Sequence, residues 1–85
     1  MENRAVYGGK PIRSECLKIA SEWEAPTGQE VRAGLQLANW SGEEFSRRIK
    51  VDGRTVRRWV LDEKPIPYAA WCVICVEAGL GKIWK

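Results

Sequence analysis

The sequence has no histidine, a single phenylalanine, a single methionine and only three cysteines in 85 residues. Each scarcity removes a class of function. Without histidine, proton transfer near neutral pH falls to Asp, Glu, Lys or Tyr. The acids here stand at helix starts and in loops, where capping accounts for them, so no enzyme is expected. A structural zinc site needs four ligands, which three cysteines and no histidine do not supply, so neither a metal nor another cofactor is expected. An odd cysteine count argues against a disulfide framework and fits a reducing compartment. Cys72 and Cys75 have the spacing of a redox pair, yet they lie inside an apolar stretch, not at a helix start where the dipole would lower a thiol pKa. Gly8, Gly9 and Lys10 lack the rest of a phosphate-binding loop. No apolar run approaches the ~20 residues of a membrane span, and MENRAVYGGK has no signal-peptide core. A cytoplasmic protein without membrane contact is therefore expected.

What is present concentrates between Trp40 and Leu61, WSGEEFSRRIKVDGRTVRRWVL. Net charge is +3 overall. From Arg47 to Arg58, however, six basic residues (Arg47, Arg48, Lys50, Arg54, Arg57, Arg58) face one acid, Asp52, a local +5. Clustered charge of this kind is what phosphate binding uses. Two helix starts flank the cluster. Ser41 and Glu44 have capping-box spacing, with Trp40 and Phe45 as a hydrophobic staple, and Asp52 caps a second helix between Val51 and Val56. Only Ile49, Lys50 and Val51 separate the two helices, so a tight turn is expected. On the second helix Val56, Trp59 and Val60 form an inward stripe, while Arg54, Arg57, Arg58 and Leu61 recur on the opposite side. Arg54 stands in the first turn, where the helix dipole disfavours a cation by a few tenths of a kcal/mol and a purely structural sequence would more naturally place Glu.

These residues carry a resemblance. VDGRTVRRW is similar to the recognition helix of lambda-repressor and Cro-like, or Xre-type, helix-turn-helix regulators, and the likeness extends over roughly residues 27 to 79. It implies that Phe45 and Ile49 pack the first motif helix, that Ser46 is the small residue at the helix crossing, and that Val56 and Trp59 are buried. It also implies that Gly53, Arg54 and Arg58 meet base edges. Lys50 departs from the family's usual turn glycine and must take a left-handed conformation at some cost or let the turn relax. The small size also resembles autoregulators found beside anti-CRISPR genes. Phosphate contacts are assigned to Arg47, Arg48, Lys50, Thr55, Arg57 and Lys64.

The remaining segments are expected to scaffold this motif. Residues 1–10 read as a flexible arm and 11–85 as a single helix-turn-helix domain. Ile12, Cys16, Ile19, Ala20 and Trp23 recur at helical spacing and predict an N-terminal helix capped by Ser14 and ended by Pro26. Thr27 and Glu30 predict a capping box for a helix running to about Asn39, with Val31, Leu35 and Ala38 inward and Gly34 at a close helix crossing. LDEKPIP reads as a loop. A last helix begins near Pro67 and stops at Gly79. The fold class is all-α, a compact bundle of about five helices. Every residue from Tyr68 to Val76 is apolar, more than one helix face can bury in so small a chain, and the surplus points to a second subunit. Tyr68, Val73, Val76, Ile83 and Trp84 are assigned to that dimer interface.

The function expected from these features is sequence-specific binding of double-stranded DNA by a dimeric transcriptional repressor at an inverted-repeat operator of a bacterial, phage or mobile-element promoter. No small-molecule ligand is expected. The alternative from another class is a protein-interaction module, including a phage inhibitor, that uses the basic face on a protein partner.

Overall fold

The computed structural model describes residues 4–7 and 10–84. Four α-helices dominate it: α1 Gly28–Ala38, α2 Gly42–Ile49, α3 Gly53–Val60 and α4 Tyr68–Glu77. Before them, strands β1 Arg4–Tyr7 and β2 Lys10–Arg13 pair antiparallel, with Arg4 opposite Arg13 and Tyr7 opposite Lys10. The fold is thus mostly helical, with four α-helices where about five were expected and a two-stranded ribbon where none was. Of the expected arm, residues 1–3, 8 and 9 lie outside the described residues, and the remainder belongs to the ribbon.

The expected N-terminal helix does not form. Residues Ser14–Leu17 and Ala20–Glu22 make two short 3₁₀ turns, with Lys18 and Ile19 extended between them. Long-range hydrogen bonds are the physical reason. In an α-helix the Cys16 carbonyl would accept from Ala20. Here it accepts instead from the indole N–H groups of Trp71, at 2.7 Å, and Trp23, at 3.0 Å. Arg13 is extended, and its backbone N–H donates to the Glu30 carboxylate at 2.9 Å. Of the expected inward positions, Ile12 and Cys16 are fully buried, Ile19 and Trp23 are half-buried, and Ala20 is exposed.

The helices begin and end where local chemistry dictates. Thr27 accepts from the Glu30 backbone N–H while the Glu30 carboxylate accepts from Thr27 N–H, the full capping box, and Asn39 closes α1 in a left-handed conformation. Gly34 allows α1 to approach α4, since an added Cβ would lie 2.8 Å from Ile74 Cγ2 and 3.1 Å from the Trp71 ring. Gly28 plays the same part against the end of α3. A Cβ there would fall 2.1 Å from the Val60 carbonyl oxygen, and Gly28 N–H donates to Asp62 at 2.7 Å. One core joins the elements, built from Ile12 and Cys16, Val31 and Leu35 of α1, Phe45, Val56, Trp59, Ile66, and Trp71, Ile74 and Cys75 of α4. Among the described residues no helix is long and apolar enough to cross a membrane.

Candidate nucleic-acid interface

The residues between α2 and α3 set the geometry of the basic cluster. Ser41 accepts from Glu44 N–H at 3.0 Å, and Trp40 stacks on Phe45 at 5.8 Å between ring centroids. The reciprocal half of this expected capping box is missing, because the Glu44 carboxylate pairs with Arg48 at 3.0 Å. Lys50 ends α2 in the left-handed region, φ 61° and ψ 46°, so of the two outcomes open to it the turn keeps the tight one. Asp52 then caps α3 by accepting from Arg54 N–H at 3.0 Å. Ser46 is buried where the helices cross, and its hydroxyl is satisfied by the Glu43 carbonyl.

This packing sorts the faces of α3. Val56 and Trp59 are buried, whereas Arg54, Arg57 and Arg58 are exposed. Exposed Arg47, Lys50 and Lys64 lie on α2, in its turn and in the loop after α3, while Thr55 is half-buried. Arg48 differs from the rest. It pairs with Glu44 and lies 5.4 Å from the centre of the Trp40 ring, so part of its charge is already engaged. Among the described residues none of the other six assigned cations is in an ion pair. Gly53 is under no internal steric demand, since an added Cβ would stand 3.9 Å from Ser46 Oγ.

An open groove of about 590 Å³ borders this face. Its walls are Arg32 and Gln36 of α1, residues 41–43 at the start of α2, and Gly53, Arg54, Arg57 and Val60 of α3, over a floor of Leu35, Trp40 and Val56. Arg32 is the cation on this groove that the sequence does not bring to the arginine face of α3. Its only local sign is that it and Gln36 stand one turn apart, off the inward stripe of Val31, Leu35 and Ala38, and nothing local places that face beside α3.

The residues assigned to a dimer interface divide. Val73, Val76 and Trp84 are exposed, at 40%, 49% and 42%. Ile83 is buried inside the chain's own core. Tyr68 is half-buried, donates to the carbonyls of Lys18 and Ile83, and meets Trp23 edge-on at 5.0 Å. Apolar character alone does not distinguish a residue that faces a partner from one that closes its own core.

Away from this face lies a buried polar knot. The Arg13 guanidinium and backbone both donate to Glu30. Burial alone would raise the Glu30 carboxyl, but the hydrogen bonds from Arg13 and from Thr27 N–H lower it below its usual range. Cys16 and Cys75 are pushed up to about 12, chiefly by burial, and Cys72 is raised by the same cause. These are the properties of packed thiols, not of nucleophiles.

Fold and site together define a small helical protein that presents a cationic helix face beside an open groove. No family model matches the chain, and no solved structure matches it. Two curated proteins of Escherichia coli, both named transcriptional repressor protein KorC, are each 49% identical to it over 77 residues, covering 87% of this chain and 91% of their own. The chain belongs to the family of these KorC proteins.

Proposed function

We propose that this chain is a transcriptional repressor that binds double-stranded DNA sequence-specifically through a helix-turn-helix of the Xre type, with α2 as its first helix and α3 as the recognition helix. The observation that carries the reading is the segregation of α3: Val56 and Trp59 anchor it, and Arg54, Arg57 and Arg58 are left outward without ion-pair partners among the described residues. The names of its relatives agree with repression. They do not bear on the narrower likeness to autoregulators beside anti-CRISPR genes.

In this reading Arg54 and Arg58, one turn apart, pair with guanine edges in the major groove, and Gly53 lets the backbone come close. Arg47, Lys50, Thr55, Arg57 and Lys64 neutralise or bind phosphates, and Arg48 joins them by exchanging Glu44 for DNA. Two copies pair through Val73, Val76 and Trp84 about a two-fold axis, so the operator is an inverted repeat. Occupancy of a bacterial, phage or mobile-element promoter in the cytoplasm then blocks transcription without a small-molecule ligand or cofactor. Selection from random duplex DNA, followed by mobility shifts across a salt series, tests the proposal. Enrichment of a two-fold symmetric motif with steeply salt-dependent binding is expected. Failure to enrich any motif, with no shift at low salt, overturns it in favour of a protein-interaction module.

A further inference from the structure

The groove beside α3 lies partly on a helix that the DNA reading has so far left as scaffold. We infer that it seats a stretch of the DNA sugar-phosphate backbone, with Arg32 of α1 as a phosphate contact that sets the angle at which α3 enters the major groove. The inference rests on the proposed DNA binding and deepens it.

Three guanidiniums, Arg32, Arg54 and Arg57, line the groove against one carboxylate, Glu43. Among the described residues none of the three is in an ion pair. An open cleft with excess positive charge and a partly apolar floor suits a phosphodiester chain, whose phosphates take guanidinium hydrogen bonds and whose deoxyriboses pack on apolar side chains. Gln36, exposed one turn along α1 from Arg32, adds a neutral donor on the same wall. An acidic peptide would satisfy the charge as well. DNA is favoured because Arg54 and Arg57 belong at once to the groove and to the outward face of α3, so one ligand can occupy both.

The wall that holds Arg32 is fixed relative to α3. Gly28 sits against the Val60 carbonyl with no space for a side chain, and its N–H is bonded to Asp62 just beyond α3. A phosphate gripped by Arg32 therefore constrains the whole recognition helix, and contacts of this kind position a protein on DNA without reading sequence.

The test compares wild type, Arg32→Ala and Arg32→Lys on a duplex carrying the selected operator and on a random duplex, over a salt series, with circular dichroism to confirm the fold. Arg32→Ala should weaken both duplexes by a similar factor, roughly tenfold, and make the slope of log K against log salt shallower by about 0.9 per subunit. Arg32→Lys should restore most of the slope. If Arg57→Ala weakens binding while Arg32→Ala leaves affinity and slope unchanged, the inference is overturned and the DNA reading stands. Loss on the operator alone also overturns it, since Arg32 would then meet a base. A wild-type protein that binds neither duplex overturns both, and salt-sensitive capture of an acidic peptide in that case would assign the groove to a protein partner.

Discussion

Glu30 and Arg13 are joined three times: the backbone N–H and Nε of Arg13 each donate to one carboxylate oxygen at 2.9 Å, and its terminal nitrogen donates to the other at 3.1 Å. The pair fastens the ribbon to the start of α1, and Glu30 is buried. Because the Glu30 carboxyl is lowered in the folded protein, its contribution is fully present above the ordinary carboxylate range. It is lost as pH falls through that range toward the lower folded value. Glu30→Gln should cost about 2–3 kcal/mol at pH 7, less than a fully buried pair because Arg13 is partly exposed, and should flatten the loss of stability on acidification. Denaturant titrations from pH 7 to pH 3 measure both effects, and equal acid sensitivity of wild type and variant would contradict the assignment.

The three cysteines should be silent to thiol reagents in the native state. Cys16 and Cys75 have no exposed surface, and burial pushes both thiols up to about 12. At pH 8 the thiolate fraction is then far below that of a free cysteine, in addition to the steric barrier. Labelling with a chromogenic disulfide should be slow in buffer and reach three thiols in denaturant. Rapid native labelling of the Cys72 and Cys75 pair would point to redox chemistry instead of packing.

Two glycines inside helices should respond oppositely to alanine. Gly34→Ala gains up to about 1 kcal/mol of helix propensity but places a methyl 2.8 Å from Ile74 Cγ2 in a filled crossing. Overpacking of that kind costs ~1–3 kcal/mol, so net destabilisation is expected. Gly53→Ala meets nothing closer than 3.9 Å and should leave the melting temperature unchanged or slightly higher. Its effect should appear in DNA affinity, because in the proposed complex the added methyl would stand between α3 and the base edges. A folded Gly53→Ala variant with wild-type operator binding would remove Gly53 from the interface.

The helix pattern was legible because its signals are local. The capping box of Thr27 and Glu30, the Ser41 and Asp52 caps, the left-handed Lys50 and the Gly79 stop each depend on a few neighbouring residues, and α1 to α4 fall where those residues place them. The N-terminal segment was not legible for the opposite reason. Its apolar spacing suits a helix, but Trp71 takes the Cys16 carbonyl from 55 residues away and Glu30 takes the Arg13 N–H from 17. The candidate site divides in the same way. The arginine face of α3 follows from periodicity, whereas the place of Arg32 on the same groove as Arg57 follows from the crossing of α1 and α3, and the burial of Ile83 from the path of the tail.

The arginines of α3 should separate by what they touch. Arg54 and Arg58 lie one turn apart on the exposed face, where each can pair bidentately with a guanine. Arg54→Ala or Arg58→Ala should cost ~1–3 kcal/mol on the operator and relax the preference at one base pair. Arg57, which also lines the groove, should favour phosphate, so Arg57→Ala should weaken operator and random DNA alike and lower the salt slope. Competition with single-base operator variants makes the distinction. Uniform loss for all three substitutions would mean that α3 binds without reading sequence.

The exposed side of α4 should hold two copies together. Nine consecutive apolar residues, 68–76, cannot all turn inward. The core takes Trp71, Cys72, Ile74 and Cys75, which leaves Val73 and Val76 outward, while Trp84 stands exposed on the tail. A single module buries too little DNA surface for the nanomolar affinity that separates an operator from a genome, and two modules about a two-fold axis meet successive major grooves ~34 Å apart. Val73→Glu places a charge in that interface and leaves the core untouched, since Val73 is 40% exposed. The expected outcome is a folded monomer by sedimentation, with unchanged circular dichroism and much weaker operator binding. Ile83→Glu should instead unfold the chain, because Ile83 lies inside its own core. A wild-type protein that sediments as a monomer at tens of micromolar and protects one half-site would show that α4 makes no such interface.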